Sequence, residues 1–276
     1  MDFRSVIIKP NLCYYWDYTT GQTTDPRVIA AIIDWIRMRR EDSQIIIGET
    51  DASAMKTKHS FKILGYEALA SEKKVQLVNL SKGDIVNKQV SVRDEKIILP
   101  VNKLLFNTDV IINVPTLKTH REIGFTCAMK NVFGLISKPW KYSYHNKLSE
   151  IIVAINKIIK SNIVIVDGII ASGKTPKKMG AIITGKDAYS VDVIVSDLVG
   201  YGPTKVPYLK LAKNEGFGTE DKIDIVEQTV TLSELKEDFP KYNYFLDRLL
   251  WKSELKALKL YTKIVGDIIP PVLDKV

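Results

Sequence analysis

Cysteine is nearly absent: the 276 residues hold two, Cys13 and Cys127. Two thiols exclude a disulfide scaffold, and within one chain they cannot supply the four ligands of a ferredoxin-like iron–sulfur cluster or a four-cysteine zinc site. Histidine is scarce too, and His59, His120 and His145 form no HxxxH or HExxH spacing, which argues against a zinc site built from one stretch of sequence. No apolar run approaches the roughly 18 residues of a membrane-spanning helix. The opening MDFRSVIIKPN is interrupted by Asp2, Arg4 and Lys9, so the expectation is a cytoplasmic chain with no membrane span. Internal repeats and low-complexity linkers are also lacking.

What is present describes a globular chain: 45% hydrophobic and 26% charged residues, enough to bury a sizeable core. Forty Lys+Arg oppose 32 Asp+Glu, and the resulting +8 favours anionic partners such as phosphates, carboxylates or nucleic acid. The basic residues are 32 Lys and 8 Arg, beside 34 Ile and only 5 Gln, a bias of thermophilic proteins.

Apolar runs of strand length alternate with helical patterns, which predicts an α/β fold: a mostly parallel sheet flanked by helices in a Rossmann-like three-layer arrangement. Strands are expected at Ser5–Lys9, Gln44–Gly48, Val75–Leu80, Asp109–Val114 and Asn162–Val166, with later ones at Ala181–Thr184 and Ile223–Val230. Asp25-Pro26 supplies an N-cap and an N1 proline for a helix over Arg27–Arg40; further helices are expected at Phe61–Ala70 and Lys147–Lys160. Lys88–Leu99, alternating around Arg93-Asp94-Glu95, reads as a small β-hairpin decoration. The expected domain spans 1–231. A helical C-terminal appendage over 232–276 would pack on it or on a partner, giving a homodimer through the C-terminal helices.

In open parallel sheets ligands bind beyond the carboxyl ends of strands. Here those ends read Lys9-Pro10-Asn11-Leu12-Cys13, Glu49-Thr50-Asp51, Pro115-Thr116-Leu117-Lys118-Thr119-His120 and Asp167-Gly168, so lysines, carboxylates, an Asn and a His should converge on one crevice. Gly124 to Gly134, with Lys130 and Asn131, suits an anion cradle at a helix start. From Lys118 to Lys147 six basic residues face one acid, with Phe125, Phe133, Trp140, Tyr142 and Tyr144 interleaved, the pattern a nucleic-acid-binding module would use. Gly168 to Thr175 matches GxxxxGK[ST]. It leads into Pro176 and a β-like run instead of a helix, so nucleoside triphosphatase chemistry is not expected, while Gly173 and Lys174 are placed near the ligand.

Together the phrases IKPNLC, TTDPRVIAAIIDWI, IGETD, VPTLKTHREIGFTCAMKNVFG, the later His145, IVDGIIASGKTPKKMG and TGKDAYSVDVIVSDLVGYGP resemble the uncharacterised family designated domain of unknown function 362, from about Val6 to Gly218. The resemblance implies weight on Lys9, Asn11, Thr24, Glu49, Lys118, His120, Lys130, Asn131, Gly134, His145, Asp167 and Asp192. Many relatives carry ferredoxin-like cysteine motifs that this chain lacks. The functional expectation is an enzyme of lyase, isomerase or transferase type acting on a small anionic ligand. Lys9, Asn11, Thr24, Lys118, Lys130, Asn131, Gly134, Gly173 and Lys174 would bind it, while His120, Glu49, Asp167 and His145 move protons. The alternative chemistries are a divalent metal ion on Glu49, Asp51, His120 and Asp167, nucleic-acid binding through 118–147, and an iron–sulfur or thiol redox role for Cys13 and Cys127.

Overall fold

The computed structural model describes residues 3–241 except 54, 121, 122, 219–222 and 224, and beyond 241 only 253, 254, 256, 257, 260 and 264. Strand β1 (Ser5–Pro10) leads to helix α1 (Pro26–Arg39), β2 (Gln44–Glu49), the short helices α2 (Thr57–Ile63) and α3 (Tyr66–Lys73), and β3 (Gln76–Asn79). The hairpin β4 (Ile85–Val92) and β5 (Glu95–Asn102) precedes β6 (Val110–Val114), β7 (Thr116–His120) and β8 (Gly124–Thr126). Helices α4 (Ala128–Phe133) and α5 (Leu148–Ile158), the long strands β9 (Ile163–Ser172) and β10 (Pro176–Gly185), and helices α6 (Ala188–Leu198), α7 (Pro207–Asn214) and α8 (Leu232–Asp238) complete the described elements.

The fold is the mostly parallel, helix-flanked sheet expected from the alternating pattern, with the hairpin as a separate two-stranded sheet. Strand β1 pairs in parallel with β2 and β6, and β2 with β3. Strand β10 runs antiparallel along β9 from Val164 to Ser172. Strands β6 and β7 therefore share the other edge of β9, β6 at Ile163 and Val164, β7 at Asp167 and Ser172. In effect β7 continues β6 past Pro115. Its free edge carries β8 just beyond where β1 ends.

Alternation along the strands builds two cores, because successive side chains point to opposite faces. Val6 and Ile8 pack with Val110, Ile112 and the α1 residues Ile29, Ile32, Ile33 and Ile36; Ile7 and Ile111 face the opposite core of α4 to α7 and the hairpin. Helix α1 starts as expected: the Asp25 carboxylate accepts from the Arg27 amide at 2.8 Å and Pro26 occupies the first turn.

Several local expectations need correction. Phe61–Ala70 is two helices, since Gly65 sits at φ 79°, a left-handed conformation that stops one helix before the next begins. The strand expected over Asn162–Val166 runs through Asp167 to Ser172, held by β10 along its length. No strand forms among the described residues of 223–230. Helix α8 places Leu235 and Phe239 in the main core, so the described start of the 232–276 appendage packs onto the domain. The remainder, with the proposed dimer contact, lies outside the described residues apart from isolated positions. Among the described residues no helix is long and apolar enough to cross a membrane.

Candidate active site

A cavity of about 270 Å³ opens where β1 and β2 end and β7 and β8 extend past them. Lys9 reaches it because it shares the face of Ile7, toward α4. Its ammonium donates to Glu49 Oε2 at 2.8 Å and the Pro10 carbonyl at 2.6 Å, with Asn131 Oδ1 at 3.5 Å. Both members of this ion pair are buried, with side chains 2% and 4% exposed. Asn131 donates to Asn113 Oδ1 at 2.8 Å and to the Lys9 carbonyl at 3.2 Å, which ties α4 to β1 and β6. Gly134 makes this packing feasible: a Cβ there would lie 3.2 Å from the Lys9 Cε and Nζ and 2.9 Å from the Asn131 carbonyl.

Two more lysines enter from opposite sides. Lys118, on β7, is buried and donates to the Gln22 carbonyl at 2.7 Å. Lys141, from the 3-10 turn Lys141–Lys147, donates to the Thr50 hydroxyl and to the Asp51 carbonyl, the latter at 2.8 Å. Neither ammonium has a carboxylate partner among the described residues; the ion pair in the cavity is Lys9–Glu49. Burial pushes the Lys118 ammonium down from its usual range and brings Lys141 to about 7. Lys130 stands 4.1 Å over the Phe133 ring. Among the described residues the cavity wall thus holds four lysines, His120 and His145, and a single carboxylate, Glu49. Tyr14 and Tyr142, joined hydroxyl to hydroxyl at 2.8 Å, lie at its mouth, with the His145 ring 5.3 Å from Tyr142.

The sequence-derived set divides. Lys9, Asn11, Glu49, Lys118, His120, Lys130, Asn131, Gly134 and His145 line the one cavity. Asp167 does not, because the strand that was expected to end at it continues: its carboxylate is buried within β9, accepting from the Asp25 amide at 2.8 Å and the Ile169 amide at 3.1 Å. Thr24 is likewise structural, bridging the Asn11 amide and the Val114 carbonyl. Gly173 and Lys174 form the β9–β10 turn, where the Lys174 amide donates to the Pro240 carbonyl at 3.0 Å, away from the cavity. The GxxxxGK[ST] match is a hairpin, not a phosphate loop.

Metal and cluster fits fail on the donors. Asp51 Oδ1 accepts from the Thr57 amide and the Asn79 side-chain amide, Asp167 is in β9, and among the described residues no three His, Cys, Asp or Glu side chains gather as a metal ion requires. Cys13 and Cys127 both line the cavity as free thiols, half the ligands of a four-thiolate cluster, and burial pushes the Cys127 thiol up. The helix start at α4 is also not an open cradle: Asp192 accepts from the Ala128 and Met129 amides at 2.6 and 3.0 Å. The basic and aromatic window is folded inward at Phe125, Phe133, Lys118 and Lys141, which are buried, whereas Trp140 is 60% exposed and Tyr142 and Tyr144 are half-buried, so only part of it is withdrawn from base stacking.

The model for the family described as Domain of unknown function (DUF362) matches residues 6–197. The chain belongs to this family. A Synechocystis protein described as thylakoid-associated is 24% identical over 224 residues, covering 76% of this chain and 68% of that one. The lactate racemase apoprotein of Thermoanaerobacterium thermosaccharolyticum is a structural neighbour at 13% identity and a TM-score of 0.41, with 66% of this chain and 45% of that one aligned. The chain thus spans less than half of that neighbour's length. Within the DUF362 match lie all the lysines and both histidines of the cavity, so the site belongs to the family's own segment and not to the tail.

Sequence reasoning missed Lys141, Thr50, Tyr14 and Tyr142 as wall residues. Lys141 lies in a polar segment with no strand end to mark it, and its place is set by the 3-10 turn folding back over β2. The signal available was the local excess of lysine, which does not say which lysine is buried.

Proposed function

We propose that this DUF362 protein is an enzyme that binds a small anionic substrate, phosphate- or carboxylate-bearing, in the cavity above β1 and β2 and acts on it by acid–base chemistry. The observation that carries the reading is the pair of buried lysines, Lys118 and Lys141, without carboxylate partners in one cavity. A buried ammonium lacking a counter-ion is costly, and a bound anion removes that cost. Lysines, as point charges with adaptable donors, tolerate an anion whose charge shifts during reaction.

Lys9 is already neutralised by Glu49, so its role is to hold Glu49 and the Asn131 network in place. Lys141, near 7, exchanges a proton within the working range of general acid–base catalysis. His120 and His145, on other walls of the cavity, provide a second proton site. Supported by this geometry, the class of reaction is proton or group transfer at or next to the anionic group.

The test is a thermal-shift panel of phosphate, sulfate and small carboxylates. Wild-type protein should be stabilised by at least one of them, with the shift reduced in Lys141→Gln and Lys118→Gln. Stabilisation by none of them removes the reading. His120→Ala should retain the anion-dependent shift and lose turnover of a substrate found through that panel; a loss of melting temperature like that of a core deletion would make His120 structural.

A further inference from the structure

We infer that the substrate carries two anionic groups joined by a short spacer, one held by Lys118 and the other by Lys141, with the reacting centre lying over the Lys9–Glu49 pair between them. This rests on the proposed anion-binding reading and adds to it the number and placement of the charges.

Lys141 is anchored at the end of β2, through Thr50 and Asp51, and Lys118 lies on β7, the continuation of β6. Strand β1 runs between these two lines, paired to β2 on one side and β6 on the other, and it delivers Lys9. The two flanking strand lines are thus two inter-strand spacings apart, about 10 Å. Both side chains leave these lines toward one cavity of about 270 Å³, which limits whatever joins the two anionic groups to a short spacer.

Hydrogen bonding agrees with two separate positions. Lys118 donates to the Gln22 carbonyl, whereas Lys141 donates to the Thr50 hydroxyl and the Asp51 carbonyl, so the two ammonium groups share no partner. A single compact anion could satisfy one buried ammonium and leave the other bare. The middle position is different in kind. Among the described wall residues Glu49 is the single carboxylate, and it is paired with Lys9, so this pair does not attract a third charge.

The experiment is calorimetric titration with four probes: 3-phosphoglycerate and succinate, which have two anionic groups, and glycerol 3-phosphate and butyrate, which have one. The two-headed compounds should bind at least about tenfold more tightly than their one-headed counterparts, because the second contact forms within an existing complex. Lys118→Gln and Lys141→Gln should each reduce the two-headed compounds to one-headed affinity, and circular dichroism melts establish that both variants fold. Equal affinity for one- and two-headed probes overturns this inference while leaving anion binding intact. No binding of any probe overturns the inference, and with no response to phosphate or sulfate the underlying reading falls as well.

Discussion

At the scale of single residues the site is defined by how each lysine is compensated. Lys9 is fully compensated by Glu49, and removing one partner would strand a buried charge. Lys9→Met is therefore expected to cost on the order of 3–5 kcal/mol in denaturant unfolding, far beyond a surface lysine substitution. Gly134→Ala presses a methyl group against the Lys9 ammonium and the Asn131 carbonyl, so it should weaken anion binding with a smaller loss of stability. Lys141 behaves in the opposite way from Lys9, since burial lowers its affinity for a proton from an ordinary 10.5 to about 7. Between those values the unfolded chain binds the extra proton, and stability should rise with pH. Comparing unfolding of wild type and Lys141→Met across that window should show the rise in the wild type and its loss in the variant.

At the scale of elements the critical joint is between α4 and α6. Asp192 of α6 accepts from two amides at the start of α4 and from the Tyr208 hydroxyl of α7 at 3.0 Å, and α4 in turn carries Lys130 and Asn131. Asp192→Ala leaves those donors buried and unsatisfied, and should cost on the order of 2–4 kcal/mol together with anion affinity. Burial raises the Asp192 carboxyl to about 7, desolvation outweighing its hydrogen bonds, so between its ordinary 3.8 and that value the folded state holds the extra proton. Its contribution to stability is then present at the acid end of the window and falls as pH rises through it, a slope the alanine variant should lack. Such joints are where sequence reading reached its limit. Asp25-Pro26 announced α1 because capping is local, and Ser5–Lys9 announced β1 because burial on both faces leaves a continuous apolar run. The extension of β9 through Asp167-Gly168 depends on β10 pairing along it, a contact between separate segments that no local signal marks, and this moved Asp167 from an expected strand end into the sheet.

At the scale of the whole molecule, a parallel sheet with its cavity beyond the strand ends gathers residues that lie more than a hundred positions apart, from Lys9 to His145. Polar strand ends were legible as a class, which is why Lys9, Asn11, Glu49, Lys118 and His120 were found together. The same rule misled at Asp51, a strand-end carboxylate that instead ties α2 to β3, and it missed Lys141, which arrives from a turn. Buried lysines without a carboxylate in hydrogen-bond contact are what hold this cavity ready for an anion. The most direct test is calorimetric titration with sulfate, which does not titrate in this range, at about pH 8 in buffers of differing ionisation enthalpy. Sulfate should be taken up with a net gain of protons, as the anion restores charge to Lys141, and that proton uptake should be lost in Lys141→Gln. Absence of binding, or binding with no proton uptake and the same affinity in Lys118→Gln and Lys141→Gln, would contradict this reading.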